Sequence, residues 1–365
     1  MLTRIGGRVR KPVRRGGAQR YLLVTLLSFA VSVAGTRLLL ELTGYPQLSG
    51  GELHIAHVLW GGLLLFASSL LMIILANRWV YLLGSVLAGL GVGLFVDEVG
   101  KFITQTNDYF YPAAAPIIYA FFLLTVLLYL QIRRPSTYDV RAELYRALSG
   151  MTELLDRHFE PSELAALEKS LEEVLEKAED ENQVQLAQQL LVYLRSDTLQ
   201  LVPDEQSLTE RYIQAFQHWE QRWINLRRYR AILVGGLAAV GANTFVNLAR
   251  LLVAARTPGG FEAVLQRLLV AGQVSTTTGI LGFIVRVSLE GSVGLILIVA
   301  AVLILFGWER WGLNLGAIGL LLSLAGVNLL VFYFEQFSTI ITAAVQLLLL
   351  LAIFRYRQRS EVVLT

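Results

Sequence analysis

The segment GSVLAGLGVGLFVDEVGKFITQTNDYFY (residues 84–111) decides the fold, because it combines a membrane-length apolar run with an orderly set of polar residues. Small and polar side chains recur in it at steps of four: Ser85, Gly89, Gly93, Asp97 and Lys101. Residues at this spacing share one face of an α-helix, and small residues there let a second helix pack closely within lipid. We therefore predict a span whose Asp97 and Lys101, with the neighbouring Glu98, face the interior of a helix bundle.

The composition of the whole chain indicates a multi-pass membrane protein. Of its 365 residues, 55% are hydrophobic and only 16% are charged, and the mean hydropathy is +0.56. A chain this apolar is not expected to form a single soluble core. It has no cysteine, which excludes disulfides, thiolate metal ligands and cysteine nucleophiles.

Eight segments approach the roughly 20 apolar residues that cross a hydrocarbon core: 21–42, 55–77, 79–102, 113–132, 230–254, 291–307, 312–334 and 339–354. We therefore expect an all-α polytopic membrane protein with eight transmembrane helices. Residues 256–290 contain a short amphipathic stretch and then an interrupted apolar one. We predict that they form an interfacial or re-entrant segment.

The two membrane halves resemble each other. Asn77-Arg78-Trp79 corresponds to Glu309-Arg310-Trp311, and the seventh span carries its own stripe of small residues: Gly312, Gly316, Gly319, Ser323 and Gly326. Because each half contains four spans, the repeats must be parallel and related by an axis along the membrane normal. The predicted domains are a basic N-terminus (1–20), a first four-span repeat (21–134), an acidic helical domain (135–228) and a second four-span repeat (229–365).

Charge distribution predicts the orientation. Arg20, Arg78 and the pair Arg133-Arg134 mark one set of span ends, whereas loops 43–52 and 104–112 contain no lysine or arginine. The positive-inside rule therefore places the N- and C-termini and the acidic helical domain in the cytoplasm, in a bacterial-type inner membrane. We expect the basic N-terminus to contact anionic lipid of the bilayer and not nucleic acid, and the acidic domain to be the surface that a protein partner would bind.

Ionisable residues within spans are the candidates for function, because each is costly in lipid without a partner. His54 and His57 enter the second span, and Asp97, Glu98 and Lys101 leave the third at a similar depth. The two histidines and two carboxylates form a nitrogen and oxygen set that suits a divalent metal such as zinc, manganese or iron. The same set would also serve to relay protons or bind a cation in transit. A purely structural alternative is an ion pair between Asp97 and Lys101.

A second polar stripe lies in the fifth span at Asn243, Asn247 and Arg250. It has two interpretations: interhelical hydrogen bonds that hold the bundle, or the polar lining of a path between the halves. In the first span, Arg37 and Glu41 are spaced to neutralise each other.

These patterns leave three functions open. Transport or permeation of an ion or small solute is favoured, since parallel repeats with polar inward stripes are a frequent transporter design. A membrane sensor or scaffold would act through the helical domain. A metal-dependent membrane-embedded hydrolase would use His54, His57, Asp97 and Glu98.

Overall fold

A computed structural model shows the fold of the chain. It describes the following residues: 12–44, 49–50, 53–54, 56–109, 111–134, 138–152, 160–196, 225–257, 277–335 and 339–364, with single positions 215, 220, 222, 259 and 266. For several of these, including Glu41 and His54, only the backbone is described.

The described chain is helical apart from one short antiparallel pair. The first half contains α1 (Ala18–Thr43), β1 (Ser49–Gly50), β2 (Leu53–His54), α2 (His57–Ile74), α3 (Arg78–Asp97), α4 (Val99–Ile103) and α5 (Ala114–Arg133). Three polar helices follow: α6 (Val140–Gly150), α7 (Pro161–Lys177) and α8 (Glu181–Leu194). The remainder contains α9 (Leu226–Arg256), α10 (Thr277–Leu305), α11 (Glu309–Leu322), a π-helical turn (Ser323–Val327), α12 (Asn328–Glu335) and α13 (Ile340–Leu364).

Within the described residues, eight helices are long and apolar enough to span a membrane, as the sequence predicts. The predicted start of the sixth span at 291 is wrong, because α10 is continuous from Thr277. Arg286 and Glu290, which interrupt the apolar run, form an ion pair at 3.2 Å along the helix. They neutralise each other, so the helix continues through them. The earlier part of the predicted interfacial segment lies almost entirely outside the described residues.

The third span also ends earlier than its predicted limit at 102. Helix α3 stops at Asp97, Glu98 occupies a turn, and the short α4 continues from Val99. In place of the alternative ion pair between Asp97 and Lys101, the structure pairs Asp97 with Arg37 and Lys101 with Glu98.

The chain divides into two compact units: Met1–Ser32, Leu59–Leu94 and Thr125–Tyr212 form the first, and Val33–Val58, Phe95–Leu124 and Ile213–Thr365 form the second. In the first unit, α1 and α3 pack along the small-residue stripe. A Cβ on Gly89 would lie 2.3 Å from the Thr25 carbonyl oxygen, and the Ser32 hydroxyl donates to the Leu90 carbonyl at 3.0 Å. This close approach of the two helices supports the predicted packing role of the stripe.

Helices α6, α7 and α8 have a hydrophobic core of their own within the first unit. It is built from Leu144, Ala147, Leu171, Val174, Ala187, Leu191 and Leu194. Asp139 and Asp180 accept hydrogen bonds from the first turns of α6 and α8 and so define where these helices begin. The amphipathic pattern of α7 thus marks the face that packs.

The core of the second unit lies among α9, α10, α11 and α13. Helices α9 and α10 cross where a Cβ on Gly241 would be 2.7 Å from the Gly294 carbonyl oxygen. Gly312, Gly316, Gly319 and Ser323 are buried as their stripe predicts, but Gly326 is exposed. The π-helical turn explains the difference, because a wider turn rotates the residues that follow it relative to a regular helix.

Candidate functional site

Asp97 is the centre of a charged cluster in the second unit. Its carboxylate is fully buried, and the Arg37 guanidinium from α1, only 5% exposed, donates to it from Nε at 2.5 Å. A second guanidinium nitrogen of Arg37 donates to the Asp97 backbone carbonyl at 2.9 Å. A carboxylate taken out of water needs such a charge-assisted partner. Arg37 therefore interacts with Asp97, sixty positions away, and the Glu41 side chain expected to pair with it lies outside the described residues.

Two further side chains bind the other carboxylate oxygen of Asp97. His57 Nε2 lies 3.0 Å from Oδ2, and the Tyr109 hydroxyl donates to the same oxygen at 2.7 Å. The guanidinium carbon of Arg37 lies 4.1 Å from the Tyr109 ring centroid, where the negative face of the ring attracts it. Asp97 thus joins residues from α1, α2 and the loop after α4.

Glu98 forms the second centre of the cluster and is also fully buried. Lys101 Nζ lies 2.5 Å from Oε1, and the backbone N–H of Val58 donates to Oε2 at 2.9 Å. The latter contact places a carboxylate at the N-terminus of α2, where the helix dipole favours negative charge. His57 Nδ1 lies 3.7 Å from Glu98 Oε1, so its ring stands between the two carboxylates.

The loop that carries Tyr109 is folded back by its own hydrogen bonds. The Thr104 hydroxyl donates to the Gly100 carbonyl at 2.8 Å and accepts from the Asp108 N–H at 2.8 Å. Asn107 takes a positive φ of 54°, a conformation that asparagine tolerates. Gly100 allows the return, because a Cβ there would be 2.7 Å from the Asp108 carbonyl oxygen. This fold of the loop places the Tyr109 hydroxyl within hydrogen-bonding distance of Asp97.

Replacing Tyr109 with phenylalanine is expected to lower the free energy of unfolding by about 1.5–3 kcal/mol, the usual contribution of a hydrogen bond to a charged group. Tyr119→Phe is the matched control, because the Tyr119 hydroxyl donates to the neutral Leu324 carbonyl and should lose only about 0.5–1.5 kcal/mol. Unfolding in mixed micelles, followed by tryptophan fluorescence, measures both. If the two variants lost equal free energies of unfolding, the result would contradict an ionised Asp97 as the partner of Tyr109.

The pH dependence of Tyr109→Phe provides a second measurement. Burial, followed by the negative charge of Asp97, raises the pKa of Tyr109 well above its ordinary value of 10.0. The folded protein therefore keeps this hydroxyl protonated where the unfolded chain ionises it. Its contribution to stability is fully present below about pH 10 and declines at higher pH. The parent should lose stability above this pH more steeply than Tyr109→Phe.

The structure brings together four of the predicted site residues: His57, Asp97, Glu98 and Lys101. The backbone of His54 is placed in β2, paired with Ser49, but its side chain lies outside the described residues. Among the described residues, no group of three or more His, Asp and Glu side chains is arranged to hold a metal ion. Arg37 and Lys101 instead occupy the carboxylates that the metal hypothesis would use as ligands.

The polar stripe of the fifth span lies outside the buried contacts of α9. Asn243, Asn247 and Arg250 are all exposed on α9. An α-helix turns about 100° per residue, which puts this stripe on the side away from Gly241 and Thr244, the residues buried against α10. Small side chains allow the closer contact, so they and not the amides determine which face packs.

A buried polar group in the second unit was not predicted from sequence. The Asn328 side-chain amide donates to Gln346 Oε1 at 2.9 Å, and Ser323 lies at the start of the π-helical turn beside them. The Tyr119 hydroxyl donates to the Leu324 carbonyl within that turn at 2.5 Å. A signal was present in the sequence: Asn328 and Gln346 are amides within predicted spans.

No protein-family model matches this sequence, and no curated protein or solved structure is significantly similar to it. Functional inference for the chain therefore depends on the geometry described above.

Proposed function

We propose that this integral membrane protein transports or conducts protons or a small cation, and that the charged cluster is its coupling site. The observation that carries the proposal is the position of His57, which lies 3.0 Å from Asp97 and 3.7 Å from Glu98. A histidine held between two buried carboxylates in a membrane protein is typical of proton and cation pathways.

The charges of the cluster support this role. Arg37 and Lys101 balance Asp97 and Glu98, so the group is neutral when the imidazole is neutral. An imidazole ring can accept and release a proton. Uptake of one proton by His57 would therefore give the cluster a net charge of +1 and weaken the attraction that holds Arg37 and Lys101 in place.

Access from outside the bundle fits the same proposal. Asp97 and Glu98 are fully buried, whereas His57 and Lys101 are 24% and 25% exposed. A proton can therefore reach the partly exposed His57 directly, and the carboxylates through the partly exposed side chains that contact them: His57, Lys101 and Tyr109. In our proposal this end faces outward and both termini face the cytoplasm, as the arginine-marked span ends favour.

The π-helical turn of the seventh span supports a transport function independently of the cluster. Irregular turns within membrane helices occur where the freed backbone groups are satisfied by protein side chains or line a cavity. Here Tyr119 satisfies the Leu324 carbonyl, and Asn328 pairs with Gln346 nearby. The turn lies within one continuous span, Glu309–Phe334, and the parallel repeats form part of this proposal.

Liposomes containing the purified chain and a pH-sensitive dye provide the test. We expect proton flux under an imposed membrane potential. His57→Gln should reduce this flux to the level of empty liposomes, because a glutamine side chain can form hydrogen bonds but cannot take up and release a proton. His158→Gln makes the same substitution in the polar segment 135–228 and should retain flux. Asp97→Asn and Glu98→Gln should change the pH dependence of flux.

Two results would contradict the proposal. One is unchanged flux in His57→Gln while the protein remains folded. The other is absence of flux for protons, sodium and potassium under gradients of either direction.

A sensor or scaffold function is the second candidate, and the surface of the three-helix core favours it. Large apolar side chains are exposed there, with Val192 at 73%, Tyr145 at 58% and Tyr193 at 50%. Exposed apolar groups on an otherwise polar domain are typical of protein-binding surfaces. If the chain shows no flux, this function predicts that a partner co-purifies with the full chain and is lost in Val192→Asp.

A further inference from the structure

A cleft in the first unit is lined by arginine side chains from three separate parts of the chain. Its volume is about 240 Å³, and its lining consists of Arg15, Arg78, Arg146, Tyr21, Tyr81 and Ser149 with three glycines. Among the described residues that line it, none is acidic. This volume is sufficient for a phosphate group with a small substituent.

The cleft lies where α1 and α3 begin and α6 ends. Helix α1 begins at Ala18 and α3 at Arg78, with α2 between them in the chain. The positive ends of two helix dipoles therefore point toward the same region. Helix α6 contributes Arg146 and ends beside the cleft at Gly150.

Local contacts position the arginine side chains. The guanidinium carbon of Arg15 lies 3.8 Å from the Tyr81 ring centroid. The preceding Arg14 donates to the carbonyls of Ile132 and Arg134 at 3.4 Å, and Gly17 takes a positive φ of 74° at the turn into α1. Arg146 pairs with Glu143 at 2.5 Å, which offsets one positive charge and also fixes the direction of its side chain.

We propose that this cleft binds a phosphate group, supplied either by the headgroup of an anionic phospholipid or by a free phosphate anion. Guanidinium groups bind phosphate oxygens in a bidentate manner, and helix N-termini favour the same negative charge. Basic pockets at the ends of membrane helices are known to hold anionic headgroups. The bound phosphate would connect α6 of the three-helix core to the membrane ends of α1 and α3.

The test uses the full chain in phosphatidylcholine-containing micelles, with its unfolding temperature followed during titration. One arm adds short-chain phosphatidylglycerol and the other adds inorganic phosphate. The test variant is Arg15→Gln/Arg78→Gln/Arg146→Gln. The control variant, Arg20→Gln/Arg133→Gln/Arg310→Gln, removes the same charge from exposed positions at the ends of membrane helices outside the cleft.

We expect a saturable rise of the unfolding temperature in the parent and the control, and an apparent Kd at least about tenfold higher in the test variant. Saturation by phosphatidylglycerol alone assigns the site to a lipid headgroup, whereas saturation by inorganic phosphate that competes with the lipid assigns it to a free anion. Equal loss in the two triple variants would overturn the proposal, because it would show attraction by general surface charge. Absence of saturation with both probes would also overturn it. Circular dichroism without ligand verifies that each variant is folded.

Discussion

Replacing Asp97 with leucine is expected to lower the free energy of unfolding by about 3–5 kcal/mol, the cost of leaving a buried charge without its partner. The Arg37 guanidinium is 5% exposed and donates from Nε to the lost carboxylate. Tyr109 and His57 would lose the same acceptor. Denaturation of the purified variant in mixed micelles measures the loss.

A double-mutant cycle identifies the cause of this effect. If the loss comes mainly from the unpaired guanidinium, Arg37→Leu/Asp97→Leu should be more stable than Asp97→Leu, although it carries one more substitution. Replacing a complete buried ion pair by apolar residues is often neutral, whereas breaking one is not. Strictly additive losses would show that Arg37 and Asp97 are not energetically coupled. Proton flux should also be measured on Arg37→Leu/Asp97→Leu, which keeps His57 and Glu98. If this variant is stable but its flux is lost, the loss reflects the role of the ion pair in transport and not unfolding.

The membrane spans could be predicted from sequence because their evidence is local. Length, apolar content and steps of four residues are all visible within one segment, and these determine that Ser85, Gly89 and Gly93 face another helix. The error in the start of the sixth span arose where two opposite charges follow each other along a helix. Arg286 and Glu290 resemble an interruption in the sequence, but their mutual ion pair lets α10 continue through them.

The partners within the cluster could not be predicted, since they depend on long-range contacts. A carboxylate and an arginine four positions apart are an evident pair, which favoured Glu41 for Arg37. The structure pairs Arg37 with Asp97, and α1 packs closely on the glycines of α3. The small-residue stripe predicts that α3 meets another helix, but it does not identify which helix that is. Tyr109 was also missed, because its approach to Asp97 depends on the positive φ of Asn107.

The fifth span shows that polarity alone does not identify an inward face. Asn243 and Asn247 are polar and regularly spaced, yet Gly241 and Thr244 are the residues buried against the next helix. In lipid, close packing of backbones competes with burial of amides, and here the packing of small residues determines the orientation. The exposed amides have no structural explanation within the described residues.

Substituting alanine for both Gly89 and Gly93 is expected to destabilise the contact of α1 with α3 by about 3 kcal/mol, at the upper end of the usual cost of overpacking. A Cβ on Gly89 would lie 2.3 Å from the Thr25 carbonyl oxygen, and one on Gly93 would lie 2.5 Å from Ser32 Cβ. Both distances are too short for real contacts, and the Thr25 atom belongs to the backbone, so the helices must separate.

Gly62→Ala in α2 is the control, because nothing lies within 4 Å of the position that its Cβ would take. Alanine is favoured over glycine in a helix by up to about 1 kcal/mol, so this variant should be as stable as the parent or more stable. The double variant is therefore expected to lose stability and the single control is not, although both replace glycine with alanine. If Gly89→Ala/Gly93→Ala were also stabilised, helix propensity would outweigh packing at this contact. The close approach of α1 to α3, which joins Arg37 to Asp97 in our explanation, would then not depend on these glycines.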